Sequence, residues 1–568
     1  MSKTPSNTPE KTNKGPVQHT VALLILPLVA LLAVLPLIWN GCSCGHDFSF
    51  HIVSWMEAAT QFRHGNLHPH WAFSPAFNAG EPRFVFYPPL SWTIGALLGL
   101  VLPWTATPIV YTWLAFLAAG ASCYHLVREF ALPDTALVVA VLYAVNPYML
   151  FTAYERTAYA ELLAAAWIPL LLHGILRRKV AIPRIAIPVA LLWLTNAPAA
   201  VIGSYSLALL ATVRLFLTLR QPKKAQPSPA KLTANTLAGT ALGMGLAGFY
   251  IVPAAYERRY VQIAMAVTDG MRSADNFLFH HTPDLDHDAV LHTVSLLAVG
   301  LLILTAICLS IAFTRTRSSK VLNRTLAALA VLAATIAFLL TPLSGVIWNR
   351  APELPFLQFP WRFLVMLTPI LSCALALALN QIHLTRAFAI CASTFVAAAL
   401  TFAGYHAFRQ SCAPGETVAA NVILYHTFAG TDPTDEYTPA TADNDALGRS
   451  NPPFWLSANT AAPPSPHAAA GPLRWPLDLA SPASQVLILN LRDYPAWHVT
   501  LNHKLITTRL QRDDGLIAIP VPAGQSHLDL TYASTTDQTT GWAISGASLA
   551  TLLLSFRRQT RDGHRQPR

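Results

Sequence analysis

Charge is what this chain has least of. Asp, Glu, Lys and Arg make up 12% of its 568 residues, against 53% hydrophobic residues and a mean hydropathy of +0.41. A soluble multidomain protein needs far more polar surface than that, so the composition indicates a polytopic membrane protein. Other absences narrow the reading. The first apolar run, Val21 to Trp39, is followed by no small-x-small cleavage site, and Asn40-Gly41-Cys42 lacks the upstream leucine of a lipoprotein site. The run is therefore expected to stay as an uncleaved first span. No internal repeat is found, and no Rossmann or P-loop glycine fingerprint.

Apolar runs long enough for about 30 Å of hydrocarbon predict about twelve spans. Among them are 183–198 and 234–255. The stretch Pro88 to Trp104 is set apart, because counting it as a span would put Arg177-Arg178-Lys179 and Glu155-Arg156 on swapped sides. Taken as a re-entrant or interfacial helix, it leaves Lys3/Lys11/Lys14, Arg177 to Arg184, Arg214 to Lys231, Arg315 to Arg324 and Arg557 to Arg568 together on one side. The positive-inside rule makes that side the cytoplasm. The net charge of +10 is thus a topology signal, and no folded basic surface for nucleic acid is implied.

The expected organisation is a cytoplasmic tail (1–20), a transmembrane domain (21–404) with a first external loop (40–106), an external linker (405–472), an external β-sandwich (473–540), and a last span with a basic cytoplasmic tail (541–568). The sandwich rests on alternating runs at 485–489, 497–501, 516–520 and 527–532, broken by Asp-Gly and Ala-Gly turns. The linker rests on a Pro/Ala/Thr/Asn-rich tract from Thr438 to Pro472. Four of the seven cysteines lie in apolar runs. Cys42, Cys44 and Cys412 are external, and spacing does not decide which of the first two, if either, bridges to Cys412.

The unusual polar residues gather on the external side. Asp47 and His51 are four apart and share a face if 48–62 is helical; Asp47 is then either a helix cap or a reactive carboxylate. Glu161 falls about one turn inside an apolar span, where an acid needs a partner or a cavity, and Arg156 is near enough to be that partner. Arg362 follows Gln358-Phe359-Pro360-Trp361 at the outer start of a span. It is either a snorkelling anchor or a fork for phosphate oxygens. His280 to Asp288 matches no defined metal spacing and reads as a solvated loop. Trp71 and Phe84 to Pro89 read as interfacial aromatics, with stacking on sugar rings as the alternative.

An acid in the first external loop directly after span one resembles the GT-C glycosyltransferases, multispan enzymes that take sugar from a polyprenyl-phosphate carrier at the outer membrane face. The first loop, Gln358-Phe359-Pro360-Trp361-Arg362, Asp435-Glu436-Tyr437 and Tyr494-Pro495-Ala496-Trp497 are similar to a bacterial membrane-protein family labelled "6-pyruvoyl-tetrahydropterin synthase-related", and to YfhO-like proteins. The soluble synthase of that label uses three zinc-binding histidines and a cysteine nucleophile, a set not assembled here.

The resemblance implies a mainly α, polytopic GT-C-like protein of the bacterial inner membrane, with both termini cytoplasmic and a small extracytoplasmic β-sandwich. It implies a polyprenyl-phosphate sugar donor, membrane lipid, and a glycan, lipid or protein acceptor. Asp47, His51 and Glu155 are the catalytic candidates. Arg156, Arg362 and Gln358 are the carrier-phosphate candidates, and Asp47 with Glu155 could hold a divalent cation. Pro88 to Trp104 would wall the lipid groove. A lipid or solute transporter and a non-catalytic envelope assembly protein are the rival expectations; inverted repeats would favour the transporter.

Overall fold

A computed structural model describes residues 17–220, 228–379, 382–457 and 474–564. Among these, ten helices are long and apolar enough to cross a membrane, or eleven if the bent pair Pro229–Leu246 and Gly248–Tyr260 is one span. The chain is thus mainly α and polytopic, with fewer full spans than expected. The difference lies in the two runs singled out above. Ile182–Thr195 has 14 residues, about 21 Å of helix, which falls short of the hydrocarbon thickness. The pair at 229–260 bends by 75°.

That bend has a local chemistry. Breaking a helix in hydrocarbon frees backbone groups that need partners. Ser545 of the last span supplies them: its Oγ–H is within bonding distance of the Gly245 and Leu246 carbonyls (3.1 Å each), and its oxygen accepts from the Phe249 N–H (2.9 Å). Gly541 and Gly248 let the two helices come this close, since a Cβ on Gly541 would meet the Gly248 carbonyl oxygen at 2.7 Å.

Pro89–Val101, inside the stretch set apart above, is a helix of 13 residues, too short to span. Gly95 packs on Trp55, setting the helix against the neighbouring first-loop helix Phe48–Arg63, and Pro88 lies in the cavity lining.

The most deeply packed spans are Pro133–Tyr154, Tyr159–Leu176 and Pro360–Ala378, while Thr536–Phe556 is the most exposed. Arg156 and Arg362 lie at the ends of this packed group.

The described residues after the helix Val418–His426 include seven strands: β1 (Phe454–Leu456), β2 (Arg474–Ser481), β3 (Gln485–Arg492), β4 (Trp497–Leu501), β5 (Lys504–Leu505), β6 (Leu516–Val521) and β7 (Gly524–Tyr532). They form two antiparallel sheets, β1-β3-β6 and β2-β7-β4-β5. Leu487, Leu489, Trp497, Val499, Ile517, Ile519, Leu528 and Leu530 fill the space between them.

Trp71 is fully buried in this core, its ring 5.5 Å from Tyr494 and 5.8 Å from Trp497. It lies neither at a lipid interface nor on a sugar site. Its indole ties the first loop to the sandwich.

The linker expected at 405–472 is partly built structure. Helix Val418–His426 docks on the first-loop helix through Tyr425 Oη to Thr60 Oγ1 (3.0 Å) and Asn421 Nδ2 to Ser49 Oγ (3.2 Å). β1 pairs with β3, so the sandwich begins by residue 454. The remainder of the Thr438–Pro472 tract, from residue 458, lies outside the described residues.

Candidate functional site

The loop after the first span is held from three sides. The Ser43 hydroxyl donates to the Tyr154 carbonyl (2.5 Å) and accepts from the Gln410 N–H (2.8 Å). A disulfide joins Cys44 to Cys412, leaving Cys42 as a free thiol. The Asp47 N–H donates to the Arg156 carbonyl at 3.1 Å. Gly45 makes this approach possible, because a Cβ there would lie 2.0 Å from the Glu155 carbonyl oxygen.

Asp47 occupies the N-cap position of Phe48–Arg63, yet its side chain makes no capping hydrogen bond. The carboxylate is 43% exposed, with Oδ2 3.8 Å from Arg156 Nη2. Capping therefore does not explain the residue.

Arg156 sits on the turn between two spans. Its Nη1 donates to Glu161 Oε2 at 2.6 Å, and its guanidinium lies 4.8 Å from the centre of the Trp361 ring. Glu161 also accepts the Tyr148 hydroxyl (2.5 Å) and faces Arg362 Nε at 3.6 Å. Two carboxylates and two guanidinium groups thus alternate as Asp47, Arg156, Glu161, Arg362. All but Asp47 are largely buried, and charges at that depth persist only when paired.

Arg362 Nη1 donates to the Leu357 carbonyl (2.8 Å), and its Nε has no hydrogen-bond partner. Gln358 approaches Arg362 Nη1 with its Oε1 (3.3 Å) and donates Nε2 to the Ala266 carbonyl (2.7 Å). Its φ of +61° holds it in a conformation that non-glycine residues avoid. Gln358 thus links two loops and steadies Arg362.

His51 is 1% exposed among Phe50, Tyr87 and Tyr159, and its Nε2 has no partner. Burial outweighs the pull of the Asp47 charge and brings its pKa down to about 4. It is neutral at physiological pH.

Glu155 goes elsewhere. It accepts from Gln410 Nε2 at 2.6 Å, and burial pushes its pKa up. The backbone reverses at Thr157, where φ is +48°. On this irregular turn Arg156 reaches the cavity lining and Glu155 does not. The cation pair of Asp47 with Glu155 is therefore not assembled, and among the described residues no group of three or more His, Cys, Asp or Glu side chains is placed to hold a metal.

The remaining candidates meet in one cavity of about 650 Å³, lined by Asp47, His51, Arg156, Glu161, Gln358 and Arg362. Trp193, Val201, Met244 and Ile251 give it an apolar wall. These residues come from the short helix Ile182–Thr195, the helix after it, and the bent pair. The two elements that fall short of a regular span thus supply three of these four wall residues, Trp193, Met244 and Ile251.

Glu436 and Tyr437 also line the cavity, though sequence reading left them as a bare motif. Tyr148, Glu161's partner, gave no signal at all. In the His280–Asp288 loop the acids are structural: Asp284 caps helix Leu285–Arg315 and Asp288 accepts from the Thr282 N–H.

Comparison with known proteins gives a family and a similarity to solved structures. Residues 84–410 match the model of the "6-pyruvoyl-tetrahydropterin synthase related domain; membrane protein". Single-particle cryo-EM structures of the arabinofuranosyltransferase AftD from Mycobacteria are similar at 18% identity and a TM-score of 0.39, over 69% of this chain and 26% of that one. A mutant form gives 19% and 0.34, over 70% and 29%. This chain spans little more than a quarter of their length. No curated protein matches the sequence.

Proposed function

The chain belongs to the 6-pyruvoyl-tetrahydropterin synthase related family of membrane proteins, and from that premise we propose that it is a glycosyltransferase of the bacterial inner membrane. It would transfer a sugar from a polyprenyl-phosphate carrier to an envelope acceptor on the extracytoplasmic face, by a GT-C type of chemistry. The observation that carries this reading is the Asp47 carboxylate: uncapped, open to the cavity, and beside the buried guanidinium of Arg156.

Inverting transfer needs a base, a counter-charge for the leaving phosphate and an apolar berth for the carrier. Asp47 takes the proton of the acceptor hydroxyl as its oxygen bonds to the anomeric carbon. The bond from that carbon to the phosphate oxygen breaks, and its electron pair leaves with the polyprenyl phosphate. Arg156 and Arg362 stabilise that charge, Arg362 with an Nε that makes no hydrogen bond. Neutral His51, its Nε2 free, contacts the carrier. The wall from Trp193 to Ile251 takes the first isoprene units.

Two independent features support the orientation. The Cys44–Cys412 disulfide suits an oxidising compartment, and the basic clusters suit the opposite, cytoplasmic side. The first loop and the sandwich would then be extracytoplasmic.

The test is to offer purified protein a panel of radiolabelled polyprenyl-phosphate sugars with lipid, glycan and protein acceptors, alongside flux assays in proteoliposomes. Label appearing in an acceptor supports the proposal. Flux with no transfer from any donor makes the protein a transporter, and neither activity favours an assembly role.

A further inference from the structure

We infer that the segment Thr434–Tyr437, together with Phe86 and Tyr87, forms the acceptor subsite of this cavity and takes a neutral glycan. The inference rests on the glycosyl-transfer reading and deepens it by naming the acceptor class.

All of Phe86, Tyr87, Thr434, Glu436 and Tyr437 line the cavity. The rings of Phe86 and Tyr437 stack at 5.5 Å and 14°, which fixes two aromatic planes against each other. A sugar ring offers an apolar C–H face and a rim of hydroxyls, so it is recognised by an aromatic surface with a few fixed polar groups beside it.

The polar groups are present and of the right kind. Among the described residues Glu436 makes no ion pair, and the hydrogen bond to its carboxylate comes from its own backbone N–H. Burial first, then the neighbouring Glu81 and Asp435 charges, push its pKa up. An acid held this way keeps further acceptor positions for hydroxyls beyond that one backbone bond, whereas the carboxylate of Glu161 is already taken by Arg156 and Tyr148. The cation that touches the segment, Arg83 at 3.3 Å from the Thr434 hydroxyl, is already paired with Glu81 at 2.8 Å, so the segment offers a phosphate no free charge. The phosphate end of the donor fits Arg156 and Arg362, which leaves the acidic and aromatic side at Thr434–Tyr437 for the acceptor.

The segment is also pre-organised. Glu81 accepts the Thr434 N–H (3.0 Å) and hydroxyl (2.9 Å), and Arg83 pairs with Glu81 at 2.8 Å. Asn444 Nδ2 holds Asp435 at 2.8 Å, and the Tyr250 hydroxyl holds the Phe86 carbonyl at 2.9 Å. A buried ion pair and a rigid turn thus position groups that no other observation explains. Such a supporting shell is what a binding site needs and a plain linker does not.

The experiment uses full-length protein in nanodiscs, as wild type, Glu436→Gln and Glu436→Asp, with melting curves to establish folding. Binding of neutral gluco-, manno- and galacto-oligosaccharides is measured by saturation-transfer NMR without donor, and acceptor and donor KM values are measured in the transfer assay. Glu436→Gln should weaken glycan binding and raise the acceptor KM by about tenfold or more, with the donor KM within about twofold and Glu436→Asp intermediate. Transfer with acceptor KM and glycan binding unchanged in both variants overturns the subsite and leaves the transfer reading standing. Glu436-dependent glycan binding by a wild type that transfers nothing supports the subsite and overturns the transfer reading. A wild type that neither binds nor transfers overturns both.

Discussion

Asp47 and Arg156 are joined twice: Asp47 Oδ2 lies 3.8 Å from Arg156 Nη2, and the Asp47 N–H donates to the Arg156 carbonyl at 3.1 Å. The planar fork of Arg156 reaches Asp47 with one nitrogen and Glu161 with the other. A lysine ammonium is a single point of charge and cannot do both. Arg156→Lys should therefore lower transfer by about 10²-fold. Glu161→Gln should instead destabilise the fold by about 3 kcal/mol, because it leaves two buried guanidinium groups without their shared carboxylate. Melting curves in detergent separate the two effects. A Glu161→Gln protein that melts like wild type contradicts the network.

Gly45 is a matter of space. A methyl group there lies 2.0 Å from the Glu155 carbonyl oxygen, a backbone atom that cannot swing aside. Gly45→Ala should pull the Asp47 loop off Arg156, costing both activity and thermal stability. Gly41, where nothing lies within 4 Å of an added Cβ but φ is +82°, should lose only about 1 kcal/mol through backbone strain on the same substitution.

The Cys44–Cys412 bridge closes a loop of several hundred residues beside Asp47. Cys412→Ser should cost about 2–4 kcal/mol. Mass spectrometry of non-reduced digests should find Cys44 linked to Cys412 and Cys42 alkylated as a free thiol. A Cys42–Cys412 linkage contradicts the arrangement.

His51 predicts a pH dependence. Folding brings its pKa from 6.5 to about 4, so between these values the unfolded chain binds more protons than the folded one. Its contribution is fully present above about pH 6.5 and is lost as the pH falls towards 4, by a few kcal/mol. His51→Phe should flatten the fall in melting temperature over that window. An equally steep profile in the variant places the acid sensitivity elsewhere.

Much of the fold was legible because membrane insertion depends on composition. Run length and basic clusters were enough for a polytopic chain, and alternation was enough for β3, β4, β6 and β7. What the sequence hid were the departures from a regular span. The 14-residue helix and the bend at Ala247 depend on tertiary partners such as Ser545. β1 and β2 lie in or next to a tract whose composition resembles a linker, and pairing with β3 and β7 overrides that signal. At the site, Asp47, His51, Arg156, Gln358 and Arg362 meet as their polar character at a membrane face suggests. Glu155 does not, because its carboxylate is held by Gln410, 255 residues further along the chain, a contact no local pattern encodes.

The measurement that bears most directly on the account is transfer by wild type and Asp47→Asn from the same labelled polyprenyl-phosphate sugar. Since Asp47 makes no capping bond, the variant should fold, bind carrier and melt as wild type does. Its transfer rate should fall by about 10²–10⁴-fold through loss of the base. Equal rates in the two proteins would contradict the assignment and move the base to another acid of the cavity, with Glu161 and Glu436 the next to test.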